Sequence, residues 1–197
     1  HLMENPPEEF ENPVQWKYLA TAAQHYVWME EDEPELFNRV IEAAKKGRWD
    51  IDGVSWLEHD TTLPSGESIV RQMLYGIKYF EGKLGFKQST LILPDCFGFS
   101  ASLPQIIKGF GLDSFITSKI SWCEYNEFPY STFKWRGIDG SDVLSHFITT
   151  PSSWSYQTST YTGTATVREI VETFNCYKEK DINRNAALHT AGNGDGG

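Results

Sequence analysis

The chain has 197 residues, 40% of them apolar and 14% aromatic, and a net charge of −10. That is enough apolar material for one packed domain, and it argues against disorder. So acidic a chain repels phosphates, which excludes nucleic acid as an expected partner, and no apolar run nears the roughly 20 residues that span a bilayer, so no membrane partner is expected either.

Residues 1–12 read as an acidic, proline-containing lead-in rather than an element. Their polarity rules out a signal peptide, so a cytoplasmic protein is the expectation. Residues 16–20 suit a short strand and residues 22–31 a helix or loop. Residues 34–46 predict a helix: Pro34 fits its first turn, Leu36, Phe37, Val40, Ile41 and Ala44 share a face, and Gly47 ends it. Residues 49–54 alternate as a strand and lead into a loop holding Trp56, Glu58, His59 and Asp60. A second helix follows Ser65, with Ile69, Val70, Met73, Leu74, Ile77 and Phe80 on one face.

Residues 89–93 form the next predicted strand, stopped by Pro94, which cannot donate to a ladder. Asp95 therefore stands just past a strand's carboxyl end, where parallel α/β folds gather ligands and catalytic groups; capping the turn is the alternative role. Gly98 permits a tight turn, Ser102 is the expected N-cap, and Leu103-Pro104 open a helix that ends near residues 109–111. Residues 114–118 predict a strand with Lys119 beyond its end. Residues 132–135 and 143–147, joined through 137–140, predict a β-hairpin decorating a βα loop. Residues 149–164 read as a long loop. Thr166 and Glu169 form a capping box for a helix bearing Ile170, Val171 and Phe174, and residues 186–189 predict a last strand before the glycine-flanked Asp195.

Strand, helix, strand order implies parallel pairing with right-handed crossovers. Glu58, Asp60, Asp95, Lys119 and Asp195 then share one rim. Two carboxylates there suit glycoside cleavage, and equally a phosphate or metal site. No His-x-His or His-Glu-x-x-His spacing accompanies them, so no complete zinc site is visible. Cys96, Cys123 and Cys176 are odd in number and widely spaced, which indicates neither a disulfide framework nor a thiolate metal site. Trp56 and Trp122 are either core rings or stacking platforms for a sugar.

Leu93-Pro94-Asp95-Cys96-Phe97-Gly98-Phe99-Ser100, with Leu103-Pro104-Gln105-Ile106, resembles the nucleophile segment of the class II α-mannosidases, glycoside hydrolase family 38. Similar segments run from about Gln24 onward: residues 34–37, 47–49, 53–60, 63–68, 119–122, 128–129, 137–140 and 192–197. They lie nearest the cytosolic, vacuolar and bacterial branch. The resemblance implies a partial parallel β/α barrel, seven-stranded in the family, with its first strand missing and a β-hairpin inserted. It implies that residues 1–197 are one catalytic-domain fragment, silent alone, whose flanking strand and downstream β-rich domains lie elsewhere in a parent enzyme.

For that parent the resemblance implies a retaining exo-mannosidase acting on terminal α-linked mannose of oligosaccharides. Asp95 would be the nucleophile and one ligand of a Zn2+ ion, Asp195 the candidate acid/base, and Trp56, Asp60 and Lys119 sugar-binding residues. The family's His-x-His-x-Asp segment and its later histidine ligand are absent here, leaving Asp95 as the one family ligand. Two other readings stand beside this: a non-catalytic carbohydrate-binding or interaction domain on the same fold, and a metal-dependent sugar deacetylase, for which no histidine pair accompanies the aspartate.

Overall fold

Parallel strands and short helices alternate through the first two thirds of the chain. The structure is a computed structural model and describes residues 17–152, 155–183 and 187–193. The expected first strand forms as β1, Tyr18–Leu19, and the following segment resolves to a helix, α1, Ala23–Asp32. Next comes α2, Pro34–Lys45, with Pro34 in its first turn, Glu35 near its N-terminus and Lys45 near its C-terminus, as the helix dipole favours. Its buried stripe is Phe37, Val40 and Ala44, narrower than the periodicity predicts, because Leu36 stays 41% exposed.

β2, Trp49–Asp50, pairs in parallel with β1. After it come α3, Gly66–Ile77, capped by the Ser65 hydroxyl, then a π-helical segment, Lys78–Lys83, and β3, Thr90–Ile92. The wider π-helical turn rotates the side chains that follow it. Phe80, expected on the α3 face, accordingly packs edge-on against Tyr26 of α1. α4, Leu103–Gly109, and β4, Ser114–Thr117, complete the second crossover. Ser102 does not cap α4: its hydroxyl pairs with that of Ser100 instead.

β5, Thr132–Arg136, and β6, Asp142–Phe147, pair antiparallel as predicted, but they are not an inserted decoration. β6 also pairs in parallel with β4, from Ser114 opposite Leu144 to Thr117 opposite Phe147, so it belongs to the main sheet and β5 lies beyond it. The reason lies in burial: Val143, Ser145 and Phe147 alternate inward, and Val143 joins the same core as Phe115. The resulting order is β3-β4-β6-β5, and a single parallel bridge, Gly53 to Leu91, links it to the β1-β2 pair.

Within the expected loop 149–164, β7, Pro151–Ser152, and β8, Ser155–Ser159, form a short antiparallel pair. Thr166 caps α5, Val167–Cys176, by accepting the Glu169 amide N–H. Of the strand expected over 186–189, residue 186 lies outside the described residues and 187–189 carry no ladder; the nearest pairing is one bridge between Gly163 and Ala191.

Two apolar clusters hold these layers. Leu91, Leu93, Phe115 and Val143 of the sheet meet Ile69 and Met73 of α3 and Leu103 and Ile107 of α4. Tyr26, Phe37, Val40, Trp49 and Phe80 form the second, between α1, α2 and the π-helical segment. Beyond α5, Tyr177 and Glu179 dock on the sheet edge: the Glu179 carboxylate accepts the Ser131 and Thr132 N–H groups, and Thr132 Oγ1 lies 3.1 Å from the Tyr177 hydroxyl and 2.8 Å from His146 Nδ1.

α3 approaches the end of β2 so closely that Gly76 has no room for a side chain. A Cβ there would fall 2.7 Å from the Val54 carbonyl carbon, and closer still to its oxygen. Val54 itself has φ +70°, a conformation rarely adopted by a β-branched residue, and it is wholly buried. Helix propensity alone predicts that Gly76→Ala stabilises by about 1 kcal/mol. The overlap is with main chain that cannot rotate away, so the expected outcome is instead a loss of about 1–3 kcal/mol, read as a lowered urea midpoint. Burial pushes the His146 imidazole below its ordinary value, with Glu179 opposing, and leaves Nε2 without a partner. The unfolded chain therefore takes this proton first, so stability is complete above about pH 6.5 and drains as the pH falls below it. His146→Asn should flatten the decline of Tm between about pH 6.5 and 5; an unchanged slope would count against this assignment.

Candidate active site

The parallel pairing places the carboxyl ends of β2, β3 and β4 side by side. Leu93 extends the ladder by one bond to the Ile116 carbonyl, Pro94 has no N–H to offer, and the next donor in the chain, the Asp95 N–H, points to Glu58 Oε1 at 2.7 Å. Beyond β4, Lys119 Nζ stands 3.0 Å from Asp95 Oδ1, an ion pair off the line of a hydrogen bond. Glu58, Asp95 and Lys119 thus meet as the rim argument expects. The side chains of Asp95 and Lys119 are about one third exposed, so the pair faces solvent rather than the core.

The loops after β2 and β3 run together beyond Asp95. The Cys96 thiol donates to the His59 carbonyl at 3.1 Å, Thr61 Oγ1 donates to the Gly98 carbonyl at 2.9 Å, and Thr61 bridges Phe99 in parallel. The first of these loops is also pinned to α3, where Gln72 Oε1 accepts the Leu57 N–H at 3.0 Å. Burial is the main cause that raises Glu58 above the usual carboxylate range; the Asp95 N–H opposes it, the Asp95 charge adds to it and Lys119 opposes it. Burial pushes the His59 imidazole down, and its Nε2 has no partner.

The other expected site residues are placed differently. Asp60 Oδ1 accepts the N–H groups of Leu63 and Thr62 and the Thr62 hydroxyl, which hold it below the ordinary value and commit it to its own turn. Trp56 donates Nε1 to Gln24 Oε1 at 3.0 Å and sets its ring edge-on to Tyr79, 6.0 Å away, in the packing between α1 and the π-helical segment. Trp122, 37% exposed, lines a cavity of about 90 Å³ with Phe128, Tyr130 and Lys178. Asp195 lies outside the described residues.

Two rings that the sequence reading did not single out flank the ion pair. Lys119 Nζ lies 5.4 Å from the centre of the Phe97 ring and 5.6 Å from that of Tyr161, within cation–π range. Phe97 is 77% exposed, a large apolar surface beside two charges. Its signal was present in the sequence, two residues past Asp95 and on the far side of a turn. Tyr161 carried none, since 42 residues separate it from Lys119.

Zn2+ prefers four N, O or S ligands, and the described residues do not fit it. Among them no three His, Cys, Asp or Glu side chains converge, and the charge nearest Asp95 Oδ1 is a lysine cation. The Cys96 thiol is unavailable as a nucleophile or ligand as well. Burial, and then the charges of Glu58, Asp60 and Asp95, push it up to about 12, so it stays protonated at neutral pH. Iodoacetamide at pH 8 should leave Cys96 unmodified in the folded protein while alkylating the exposed Cys123, as read by mass spectrometry of the digested chain. Alkylation of both at equal rates would contradict this burial.

Residues 2–197 match the Glycosyl hydrolases family 38 N-terminal domain. The chain is similar to alpha-mannosidase G of Dictyostelium discoideum, 46% identical over 184 residues, covering 93% of this chain and 16% of that one. It is also similar to an alpha-mannosidase of Saccharomyces cerevisiae, 38% identical over 197 residues, covering 100% and 17%. Among solved structures, an alpha-mannosidase from Enterococcus faecalis V583 matches with TM-score 0.62 and 22% identity over 92% of this chain and 19% of that one, a likeness of fold. The chain thus spans about a sixth of the length of the curated relatives it matches. Its laced β2 and β3 loops, with Asp95 at their junction, lie within a sequence that belongs to the N-terminal domain of glycoside hydrolase family 38.

Proposed function

We propose that this chain carries the nucleophile of a retaining α-mannosidase that removes terminal α-linked mannose from oligosaccharides, and that Asp95 is that nucleophile. The observation that supports it best is the setting of Asp95: a carboxylate just past the end of a parallel strand, held by its main chain to Glu58, paired through Oδ1 with Lys119 and open to solvent. In a retaining cleavage the Asp95 oxygen bonds to the anomeric carbon as the bond to the departing oxygen breaks. That oxygen takes a proton from an acid, a role we give to Asp195. Water then attacks the same carbon, loses its proton to that residue and releases Asp95.

Lys119 neutralises charge beside the reacting carboxylate, and the exposed Phe97 ring offers a flat apolar surface for a sugar face. Trp56 and Asp60, both engaged in shaping the β2 loop, act by holding its course. Zinc assistance stays part of the family expectation only: the described residues would offer it Asp95 and no complete set, so no step is routed through it. We place the activity in the cytoplasm, where a reducing environment would maintain the three free thiols.

The test is hydrolysis of an aryl α-mannoside by the full-length protein, beside Asp95→Asn and with and without chelator. Asp95→Asn should lower kcat by about three orders of magnitude or more, as loss of a covalent nucleophile does. Activity that survives the substitution, or mannose binding without hydrolysis, would instead favour a carbohydrate-binding domain on this fold. Loss of activity on chelation would mean that groups beyond the described residues complete a metal site.

A further inference from the structure

We infer that Glu58 is a positioning residue for Asp95, aiming the reacting carboxylate through the main chain rather than by its own charge or proton. This rests on Asp95 being the nucleophile. Asp95 is the first residue past the β3 ladder with an N–H to offer, because Leu93 makes the last ladder bond and Pro94 makes none. That N–H is held by Glu58 Oε1 at 2.7 Å, a short bond to an ionisable acceptor and of the stronger kind. With Lys119 holding the carboxylate at 3.0 Å, Asp95 is gripped at both ends: the main chain from the β2 side, the side chain from the β4 side.

Glu58 can do this because its own backbone is fixed on either side. The Leu57 N–H is bonded to Gln72 of α3, the His59 ring meets the Leu57 carbonyl at 3.2 Å, and the His59 carbonyl receives the Cys96 thiol. A side chain on so anchored a segment sets the turn at Pro94-Asp95 to within a fraction of an ångström. Catalysis is sensitive on that scale, since a displacement of about 1 Å can cost about 100-fold in rate.

Three substitutions separate reach from charge. Glu58→Gln keeps an oxygen acceptor at the same length and loses the charge; Glu58→Asp keeps the charge and falls one methylene short; Glu58→Ala removes both. In the full-length protein with an aryl α-mannoside, Glu58→Asp and Glu58→Ala should lower kcat by about 10- to 100-fold with KM little changed. Glu58→Gln should stay within about 3-fold of the wild type, with the same pH profile. Hydrogen exchange at the Asp95 amide should speed up in the Asp and Ala variants and not in the Gln variant. The inference is overturned if Glu58→Gln is as slow as Glu58→Ala, which would make the charge or proton essential, or if Glu58→Ala keeps wild-type kcat. Asp95→Asn run alongside tests the nucleophile separately: if it stays active, or if the wild type is inactive, the nucleophile reading fails, while exchange at the Asp95 amide still decides whether Glu58 holds that turn.

Discussion

The pairing of β2 with β3 is the constraint on which the site depends, and side chains carry most of it. Only one bridge, Gly53 to Leu91, joins the two strands directly. Around it, Asp52 Oδ1 accepts the N–H groups of Gly53, Ser89 and Thr90, and the buried Gln88 amide accepts the Val54 N–H while donating to the Ile51 carbonyl. These bonds replace a ladder with four residues' worth of side-chain and main-chain groups, and each satisfies a polar atom that would otherwise be costly to bury. Because they set the two chains in register at their entry, the loops leave in register too, and Glu58 arrives opposite Asp95.

Packing and strain work in the same direction. Gly76 lets α3 settle onto the Val54 carbonyl, and Val54 takes a left-handed conformation that costs of order 1–3 kcal/mol. That conformation turns the chain out of β2 toward the rim. The surrounding core, with Val54, Leu91, Leu93, Ile69 and Met73 all buried, supplies the apolar contact that holds it there. Strain of this kind tends to collect beside functional sites, and here it lies four residues before Glu58. The exposed ion pairs elsewhere, such as Glu67 with Arg71 and Arg168 with Glu172, add little by comparison, since solvent screens them.

Much of this was legible in the residues. Apolar periodicity located α2 and α3, Pro94 marked the end of β3, and the capping pair Thr166 and Glu169 marked the start of α5. The rim, too, followed from strand order, and Glu58, Asp95 and Lys119 do meet there. The misplacements have physical causes. Asp60 looked like a rim carboxylate, but an aspartate two residues before a free N–H closes its own turn first. The hairpin 132–147 looked like an insertion because its two strands are adjacent in sequence; burial of Val143 and Phe147 on one face draws β6 into the parallel sheet instead. The apolar stripe of α5 predicts a buried face, yet Ile170, Val171 and Phe174 remain 42%, 53% and 39% exposed and Thr173 is the residue buried.

By itself the sequence determined the element types, the parallel order of the early strands and the candidate nucleophile, because spacing, proline and capping act over a few residues. Only the tertiary structure decided which acid serves Asp95, that Phe97 and Tyr161 flank Lys119, and that Trp56 belongs to the helix packing. Those contacts join residues 23 to 42 positions apart, and no local preference specifies them. They follow from strand register and from how closely α3 can approach Val54, which are set by the whole packed core at once.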